Sequence, residues 1–329
     1  MYEKAFHKVD ISDKVFLVTG GAGFIGSNIV EYLLKYNAGK VVVLDNLSTG
    51  FIHNLELFSH YSNFQFIEGD ICNLEHCALA CGGVDYVLHQ AALGSVPRSI
   101  NNPIATNTVN VSGFLNVLVA ARDAKVKRIV YASSSSVYGD SKTLPKIESE
   151  IGKPLSPYAV SKLVNEQYAA IFSSTYNMEI IGLRYFNIFG PRQSPEGAYA
   201  AAIPLFIHHI IQNESPLVNG DGQQTRDFTF VENAVQANIK ALFASSDAVN
   251  KVYNIAVGEK NSLLELIHLL NANFKKNIAP IHREDRFGDV RNSLADITLA
   301  KKQLDYTPEI NFAQGIAKTV EWFLSQIKK

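Results

Sequence analysis

Tyr158 and Lys162 are the residues whose types and spacing point most directly to acid–base chemistry. They are four residues apart at the start of a predicted helix, a spacing that brings both side chains onto one face. An ammonium group beside a phenol should lower the pKa of the phenol well below its ordinary value of about 10. We therefore expect Tyr158 to act as a general base near the working pH, with Lys162 beside it.

Three consecutive serines, Ser134, Ser135 and Ser136, follow the predicted strand at residues 128–132. Ligands of open α/β sheets bind at the carboxyl ends of the strands. A hydroxyl there could hydrogen-bond a reacting oxygen and share its proton with Tyr158. Each signal alone also occurs by chance, since a serine run is often only a loop. Their joint order makes these three serines, with the tyrosine and the lysine, the candidate catalytic residues.

A glycine-rich turn precedes this region. Gly20, Gly23 and Gly26 keep a G-x-x-G-x-x-G spacing directly after the first predicted strand and at the start of the first predicted helix. Without a Cβ, backbone N–H groups can approach a pyrophosphate closely, and the helix N-terminus adds unpaired donors and a positive dipole end. Such a pattern can be a mere tight turn. Its place between strand and helix predicts a dinucleotide site.

An acidic residue selects the dinucleotide. Asp45 ends the second predicted strand, where an acid accepts hydrogen bonds from both ribose hydroxyls of NAD. Its carboxylate would repel a 2′-phosphate, and Asn46-Leu47-Ser48, which follows, contains no arginine, so NAD is favoured over NADP. Asp70 and Ile71, after the third strand, are placed to meet the adenine ring. A purely structural acid at a strand end is the alternative for both aspartates. The nicotinamide charge should lower the pKa of Tyr158 further.

Alternating elements must position these residues. Strands are predicted at residues 15–19, 41–45, 64–68, 86–90, 128–132 and 180–184, and helices at 24–35, 74–81, 103–123 and 157–176. Parallel strands buried on both faces and helices laid on the sheet give right-handed crossovers. The sequence thus predicts an α/β fold with a Rossmann-like, doubly wound parallel sheet.

The alternation ends at about residue 189. A helix is predicted at 227–244, a strand at 251–255, and amphipathic helices at 262–273 and 312–328. We expect residues 1–188 to form the NAD-binding domain and residues 189–329 to be mainly a smaller α/β substrate-binding lobe. The chain is expected to return to the first domain around residues 227–255.

Composition excludes several classes of protein. The chain has 329 residues and a net charge of −1, so nucleic acid and anionic membranes are unlikely main partners. The first 13 residues lack the apolar core of a signal peptide, and no stretch resembles an uninterrupted membrane helix, residues 200–211 coming nearest. We expect a cytoplasmic protein. Cys72, Cys77 and Cys81 are expected to be reduced apolar fillers under one helix, and no metal site is expected.

These motifs together make the chain resemble the extended short-chain dehydrogenase/reductase family, in particular its nucleotide-sugar 4-epimerases. The resemblance runs almost end to end, through TGGAGFIGSN, GDI, HQAA, SSSSVYGD, SPYAVSK, LRYFNIFGPRQ, NGDGQQTRDF and GDVRNSLADI. The closest resemblance is to bacterial enzymes that interconvert UDP-N-acetylglucosamine and UDP-N-acetylgalactosamine, often for polysaccharide synthesis, and HQAALGSVPRS is typical of that branch.

The resemblance implies roles for further residues. Tyr158 would be the base, Lys162 would orient it and the ribose, and the three serines would hold the sugar. The full candidate cofactor set is Gly20, Gly23, Phe24, Ile25, Gly26, Asp45, Asn46, Ser48, Thr49, Gly50, Asp70, Ile71, Gln90, Ala91, Ala92, Tyr158, Lys162 and Tyr185. Gly94 and Ser95 would line the sugar pocket and Asn187 would contact the pyrophosphate. The implied nucleotide-end contacts are Gln193, Ala201, Arg226, Arg286 and Asp289.

The last implied residue is Ser293, which would form the wall beside the C2 substituent of the sugar. Galactose-only epimerases carry a bulky tyrosine there, so a small serine predicts that an acetamido group is accepted. A helix N-cap or a loop serine is the alternative.

The implied reaction is epimerisation at C4 of a UDP-hexose through a transient 4-keto sugar, with NAD regenerated. UDP-glucose or a UDP-N-acetyl-uronic acid are alternative substrates. Dehydratases and decarboxylases of the family carry acids where this chain has Ser135 and Ser136. A reductase would need exchangeable NADPH, which Asp45 opposes, and a non-catalytic nucleotide-binding scaffold would not need the tyrosine–lysine pair. A homodimer through a four-helix bundle of residues 103–123 and 157–176 is expected, although these helices could equally pack on the sheet without a partner.

Overall fold

The computed structural model describes residues 1–195, 201–284 and 291–327. Within them, seven parallel strands form the main sheet: β1 (Val15–Thr19), β2 (Lys40–Asp45), β3 (Phe64–Glu68), β4 (Tyr86–His89), β5 (Arg128–Ser134), β6 (Ile180–Tyr185) and β11 (Lys251–Ile255). Six short strands pair two by two outside it: β7 (Ile188–Phe189), β8 (Leu217–Asn219), β9 (Thr225–Arg226), β10 (Thr229–Phe230), β12 (Asn261–Ser262) and β13 (Ile281–Arg283).

The main sheet has the strand order β11-β6-β5-β4-β1-β2-β3, and every pairing in it is parallel. The order reverses at β1, so the carboxyl ends of β1 and β4 flank the crevice in which such sheets bind ligands. The predicted Rossmann-like, doubly wound α/β fold is confirmed. The strand at residues 251–255 lies at the sheet edge beside β6, whereas the division of the chain into two domains at residue 188 stays a prediction.

The helices follow the predicted pattern in the first half of the chain and depart from it in the second. They are α1 (Phe24–Lys35), α2 (Ile52–Glu56), α3 (Leu74–Cys81), α4 (Val96–Asn101), α5 (Pro103–Asn107), α6 (Phe114–Asp123), α7 (Pro157–Tyr176), α8 (Ala202–Ile211), α9 (Val231–Leu242), α10 (Leu263–Phe274), α11 (Thr298–Leu304) and α12 (Phe312–Ile327). The expected helix at 227–244 begins only at Val231, because Thr229–Phe230 pairs with β7 as strand β10.

The predicted helix at residues 103–123 is divided. A π-helical turn, Thr108–Gly113, separates α5 from α6. Asn110 in this turn donates its side-chain N–H to the carbonyl of Leu93 (3.1 Å) and to the hydroxyl of Ser161 (3.1 Å). The wider turn therefore ties the loop after β4 to helix α7.

Three apolar clusters form the core. One lies between the sheet and helices α1 and α9, the second between the sheet and helices α3, α6 and α7, and the third under α8, α10 and α12. Cys77 and Cys81 are buried in the second cluster, and burial raises the pKa of each thiol to about 12. Both thiols are therefore protonated at neutral pH and act as apolar fillers.

One expectation about membrane helices was wrong. Among the residues that the structure describes, Pro103–Asp123, and not the segment 200–211, is the stretch long and apolar enough by length and composition to cross a membrane, with a mean hydropathy of 1.3 over an 18-residue window. In the structure, its second half, α6, packs against α3 and α7 on the face of the sheet. The buried residues of α6 lie in the second apolar cluster.

Candidate active site

A cavity of about 500 Å³ opens along the carboxyl ends of the main-sheet strands. Every residue of the candidate cofactor set lines it, from the glycine turn after β1 to Tyr185 at the end of β6. The structure therefore brings these residues together in one place, and their individual roles toward a cofactor stay predictions.

The glycine turn has a conformation that side chains would not allow. Gly20 has a φ of +71°, and a Cβ there would lie 2.6 Å from the backbone nitrogen of Ala91. A Cβ on Gly26 would lie 2.1 Å from the carbonyl oxygen of Gly20. Gly23 caps α1 without a side-chain hydrogen bond, so the first N–H groups of the helix stay available to an anion. This cradle fits a pyrophosphate.

Asp45 lies at the cavity wall with its carboxylate held by the backbone. Its oxygens accept hydrogen bonds from the N–H groups of Ala22 (2.9 Å) and Leu47 (2.8 Å). Burial raises the pKa of Asp45 from its ordinary value. The carboxylate thus joins the glycine turn to the end of β2 at the position expected for a ribose contact.

Three side chains at and behind the cavity wall form a closed set of hydrogen bonds, and two of them, Tyr185 and Gln90, line the cavity. Tyr185 donates its hydroxyl to Gln90 (3.2 Å) and accepts from the side chain of Asn238 (2.7 Å), while Gln90 donates to Asn238 (3.1 Å). Asn238 is not predictable from the sequence, because it comes from α9, far along the chain and within no recognisable motif. The three polar groups fix one another beside the candidate nicotinamide end.

The start of α7 positions the tyrosine and the lysine. Ser156 caps this helix by accepting a hydrogen bond from the N–H of Ala159 (3.1 Å). Lys162 is only 2% exposed and donates from Nζ to the carbonyl of Ala132 (2.8 Å). Its Nζ lies 5.9 Å from the centre of the Tyr158 ring. Both side chains line the large cavity, as their spacing predicts.

The lowered pKa expected for Tyr158 rests on Lys162 and the nicotinamide charge together, and the protein chain without the nicotinamide shows the opposite direction. Burial raises the pKa of Tyr158 above its ordinary value, and a hydrogen bond with the side chain of Ser134 opposes that shift. Burial also lowers the pKa of Lys162 to about 8. Only the protonated form of Lys162 stabilises the phenolate, and burial makes that form less abundant above about pH 8.

The three serines line different cavities. Ser134, at the end of β5, lines the large cavity and pairs with Tyr158. Ser135 and Ser136 begin a 3₁₀ turn and line an adjoining cavity of about 220 Å³. The Oγ of Ser136 is buried and has no hydrogen-bond partner among the residues that the structure describes.

The predicted sugar and nucleotide contacts divide between the cavities. Gly94 and Ser95 line the large one. Ser293 and Arg226 line the cavity of about 220 Å³, which we call the sugar cavity. Helix α11 begins only at Thr298, so Ser293 is not a helix N-cap.

The third cavity, of about 270 Å³, is lined by Gln193, Ala201 and Arg226, and we call it the nucleotide cavity. Asn187 lines all three cavities and has a φ of +38°. It therefore lies at their junction, where a diphosphate joining a sugar to a nucleoside is expected. Arg286 and Asp289 lie outside the described residues.

Comparison with known proteins identifies the family of this chain. Residues 16–256 match the family described as the NAD dependent epimerase/dehydratase family. The chain therefore belongs to this NAD-dependent family, within the extended short-chain dehydrogenases/reductases, and NAD is its cofactor.

Three members of the family that are similar to this chain are 4-epimerases of UDP-sugars. The UDP-glucose 4-epimerase of Mycolicibacterium smegmatis is 35% identical over 93% of this chain and 97% of its own length. The structure of UDP-N-acetylglucosamine 4-epimerase from Methanobrevibacter ruminantium, in complex with UDP-N-acetylmuramic acid, has a TM-score of 0.90 and 38% identity, covering 96% of this chain and 99% of that one. The UDP-glucose 4-epimerase of Thermotoga maritima, solved with UDP-glucose, has a TM-score of 0.89 and 34% identity over 95% and 99% of the two chains.

Proposed function

We propose that this protein is a UDP-sugar 4-epimerase, an isomerase that prefers N-acetylated sugars and converts UDP-N-acetylglucosamine to UDP-N-acetylgalactosamine. One observation carries the proposal. The cavity that holds Tyr158, Lys162 and Ser134 adjoins a sugar cavity whose wall includes the small side chain of Ser293, and Asn187 lines both. The similar epimerases named above support the reaction class.

The chain's own residues account for binding and proton traffic. The glycine turn and Asp45 would hold the dinucleotide, and bound NAD supplies a centre that takes a hydride from C4 and returns it. Tyr158 would remove the proton of the C4 hydroxyl and later give it back. Lys162, fixed by the carbonyl of Ala132, keeps a positive charge within reach of the phenolate and the ribose.

Inversion at C4 requires the 4-keto sugar to present its other face while the nucleotide stays bound. The arrangement of cavities suits this motion. Gln193 and Arg226 would hold the nucleotide end, and the sugar would turn in the sugar cavity, whose mixed lining includes several serine hydroxyls. Asn187, at the junction, would anchor the diphosphate about which the sugar turns.

UDP-glucose and a UDP-N-acetyl-uronic acid remain the rival substrates. A dehydratase or decarboxylase needs an additional acid beside the sugar. Among the described residues that line the sugar cavity, none is an aspartate or a glutamate. The elimination chemistry is therefore less well supported than simple epimerisation. A non-catalytic scaffold is also less well supported. Lys162 is buried and donates a hydrogen bond to the carbonyl of Ala132, and burying an amine is costly for a protein that does not need it for catalysis.

We also propose that the protein is a cytoplasmic homodimer whose subunits pair through a four-helix bundle of residues 103–123 and 157–176. Ile104 in α5 and Val160 and Ile171 in α7 are exposed although they are large and apolar. Val160 and Ile171 lie about three helical turns apart and thus on one face. The division into an NAD-binding domain, residues 1–188, and a substrate lobe belongs to the same proposal.

The experiment is an incubation of purified protein with UDP-N-acetylglucosamine and no added cofactor. Proton NMR should show the galacto epimer, because bound NAD is regenerated in each cycle. UDP-glucose and UDP-N-acetylglucosaminuronic acid are run in parallel, and Tyr158→Phe is the inactive control. A protein that carries NAD and epimerises none of the three sugars would contradict the proposal.

A further inference from the structure

Glu166 and Arg184 form a buried ion pair that the mechanism above does not use. Their side chains are 7% and 3% exposed, and two contacts join them, from Nε of Arg184 to Oε1 of Glu166 (2.9 Å) and from Nη2 to Oε2 (2.8 Å). A buried pair adds little net stability, because the cost of desolvating both charges offsets their attraction. Its forked geometry, however, fixes the relative position of α7 and β6, the two elements that carry it.

The carboxylate of Glu166 connects α7 with the end of β5. Glu166 follows Lys162 by four residues, so it lies one helical turn further along the same face of α7. Its Oε1 also accepts a hydrogen bond from the hydroxyl of Ser133 (2.6 Å), the residue directly before Ser134. Ser134 in turn forms the hydrogen bond with Tyr158. The bond between Ser133 and Glu166 therefore holds the strand that carries the serine against the helix that carries the base.

Arg184 extends these contacts to the serine turn. Its Nη1 donates to the hydroxyl of Tyr138 (3.0 Å), and Tyr138 is the last residue of the 3₁₀ turn that begins with Ser135. The same Nη1 donates to the carbonyl of Glu148 (2.9 Å). Since Ser135 and Tyr138 both line the sugar cavity, the arginine fixes one end of a turn in the wall of that cavity.

Asn254, on β11, carries the contacts on to the segment that follows Ser293. The hydroxyl of Tyr138 donates to Oδ1 of Asn254 (2.6 Å), a fully buried side chain. The Nδ2 of Asn254 donates to the carbonyls of Lys146 (2.9 Å) and Asp296 (3.0 Å). The N–H of Asp296 also donates to the carbonyl of Lys146 (2.9 Å). One line of buried contacts therefore runs from α7 to the wall of the sugar cavity, in which Lys146 and Ser293 lie.

We propose that Glu166 and Arg184 are positioning residues for epimerisation, which hold Ser134 against Tyr158 and keep α7 aligned with the wall of the sugar cavity. Neither side chain lines any of the three cavities, so both act through the residues that they hold. The inference rests on the proposed epimerase function and goes beyond it.

Two consequences separate positioning from a purely structural role. The hydrogen bond with Ser134 opposes the burial that raises the pKa of Tyr158, so a displaced Ser134 should raise this pKa further. The kcat should fall about 10- to 100-fold for a displacement of up to about 1 Å, and its rise with pH should move to higher pH. The affinity for UDP should stay close to the wild-type value. Lys162, whose Nζ lies 5.9 Å from the centre of the Tyr158 ring, is the same in every variant.

The test variant is Glu166→Met/Arg184→Met, which removes both charges together and leaves neither buried alone. The matched control is Arg128→Met/Glu179→Met. That arginine begins β5 and that glutamate directly precedes β6, and they form an ion pair (2.6 Å) at the opposite end of these strands, away from the three cavities. The test variant should show the lower kcat and the higher pKa of Tyr158. The control should keep both wild-type values, even where it lowers the melting temperature.

Ultraviolet difference titration of each protein against the same protein carrying Tyr158→Phe measures the pKa of Tyr158 without turnover. A raised pKa in the test variant would support the inference even if no sugar were epimerised, so the two proposals can fail separately. A folded test variant that keeps the wild-type kcat or the wild-type pKa of Tyr158 would overturn it. An equal fall of kcat in the control, or a fall in UDP affinity as large as the fall in kcat, would do the same.

A milder variant carries the test if the double variant does not fold. Ser133→Ala removes one hydroxyl and keeps the ion pair, so it should show the same two changes in a weaker form. Wild-type values of both kcat and the pKa of Tyr158 in Ser133→Ala would then overturn the inference.

Discussion

Replacing Ser293 by tyrosine tests the proposed preference for N-acetylated sugars. Ser293 lines the sugar cavity, and its backbone is held in place because its N–H donates to the carbonyl of Thr225 (3.1 Å). Two residues on, Ala295 is buried, and its N–H donates to Asp227 (3.2 Å). The segment therefore cannot retreat easily, and an added aromatic ring must occupy the cavity itself.

The expected effect follows from the space available. The cavity has a volume of about 220 Å³, and it must hold a hexose and its C2 substituent. Overpacking that the surroundings cannot relieve costs about 1–3 kcal/mol, which is about a 5- to 150-fold change in a rate or equilibrium constant. UDP-glucose has only a hydroxyl at C2 and should suffer much less. The ratio of kcat/KM for UDP-N-acetylglucosamine to that for UDP-glucose should fall by this factor in Ser293→Tyr.

The assay measures both constants by NMR in the wild type, Ser293→Tyr and Asn292→Tyr. Asn292 is exposed and lines none of the three cavities, so a tyrosine there controls for a general disturbance of the segment. Bound NAD and the melting temperature check that each variant is folded. If Ser293→Tyr kept the wild-type ratio, Ser293 would not be the wall, and the N-acetyl preference would lose its main support.

Three further predictions concern the reaction centre. Tyr158→Phe should lower kcat about 10²- to 10⁴-fold or more while NAD content and fold are kept, because only the ionisable oxygen is lost; near-normal turnover would show that the base is another group. Asp45→Ala should lower the NAD that copurifies and, by leaving the N–H groups of Ala22 and Leu47 unpaired, destabilise the fold by about 1–3 kcal/mol; an unchanged NAD content would refute the ribose contact. Burial raises the pKa of Tyr158, so the phenol is mainly protonated at neutral pH and its phenolate fraction grows as the pH rises. The kcat should therefore rise between about pH 6 and the pKa of Lys162 at about 8. A flat profile over this range would contradict Tyr158 as the titrating base.

The sequence is most informative where local rules decide the structure. The glycine turn, the helix that follows it and helix α7 depend on residues within a few positions of one another, and the predicted bounds of both helices agree with the structure. The same holds for Tyr158 and Lys162, whose spacing on a helix fixes their common face. Strands buried on both faces likewise show their apolar pattern directly.

Tertiary contacts explain what the sequence did not reveal. Asn238 reaches the hydroxyl of Tyr185 from α9, at no fixed spacing from any motif. The helix predicted at 227–244 gave way at its start to β10, because pairing with β7 outweighs local helical preference. The direction of the pKa shift of Tyr158 depends on burial, which helix spacing alone does not determine.

The three serines at the end of β5 line two neighbouring cavities, the large cavity and the sugar cavity. Ser134 is in extended backbone, with φ −152° and ψ 146°, and its Oγ accepts from the N–H of Ser136 (3.1 Å). A 3₁₀ helix begins at the next residue, and its first two residues, Ser135 and Ser136, line the sugar cavity instead of the large cavity. Of Ser134, Ser135 and Ser136, Ser134 is the one that lines the large cavity with Tyr158 and forms a hydrogen bond with it. We infer that Ser134 shares the proton with the base, while the other two hydroxyls hold the sugar as it turns from one face to the other.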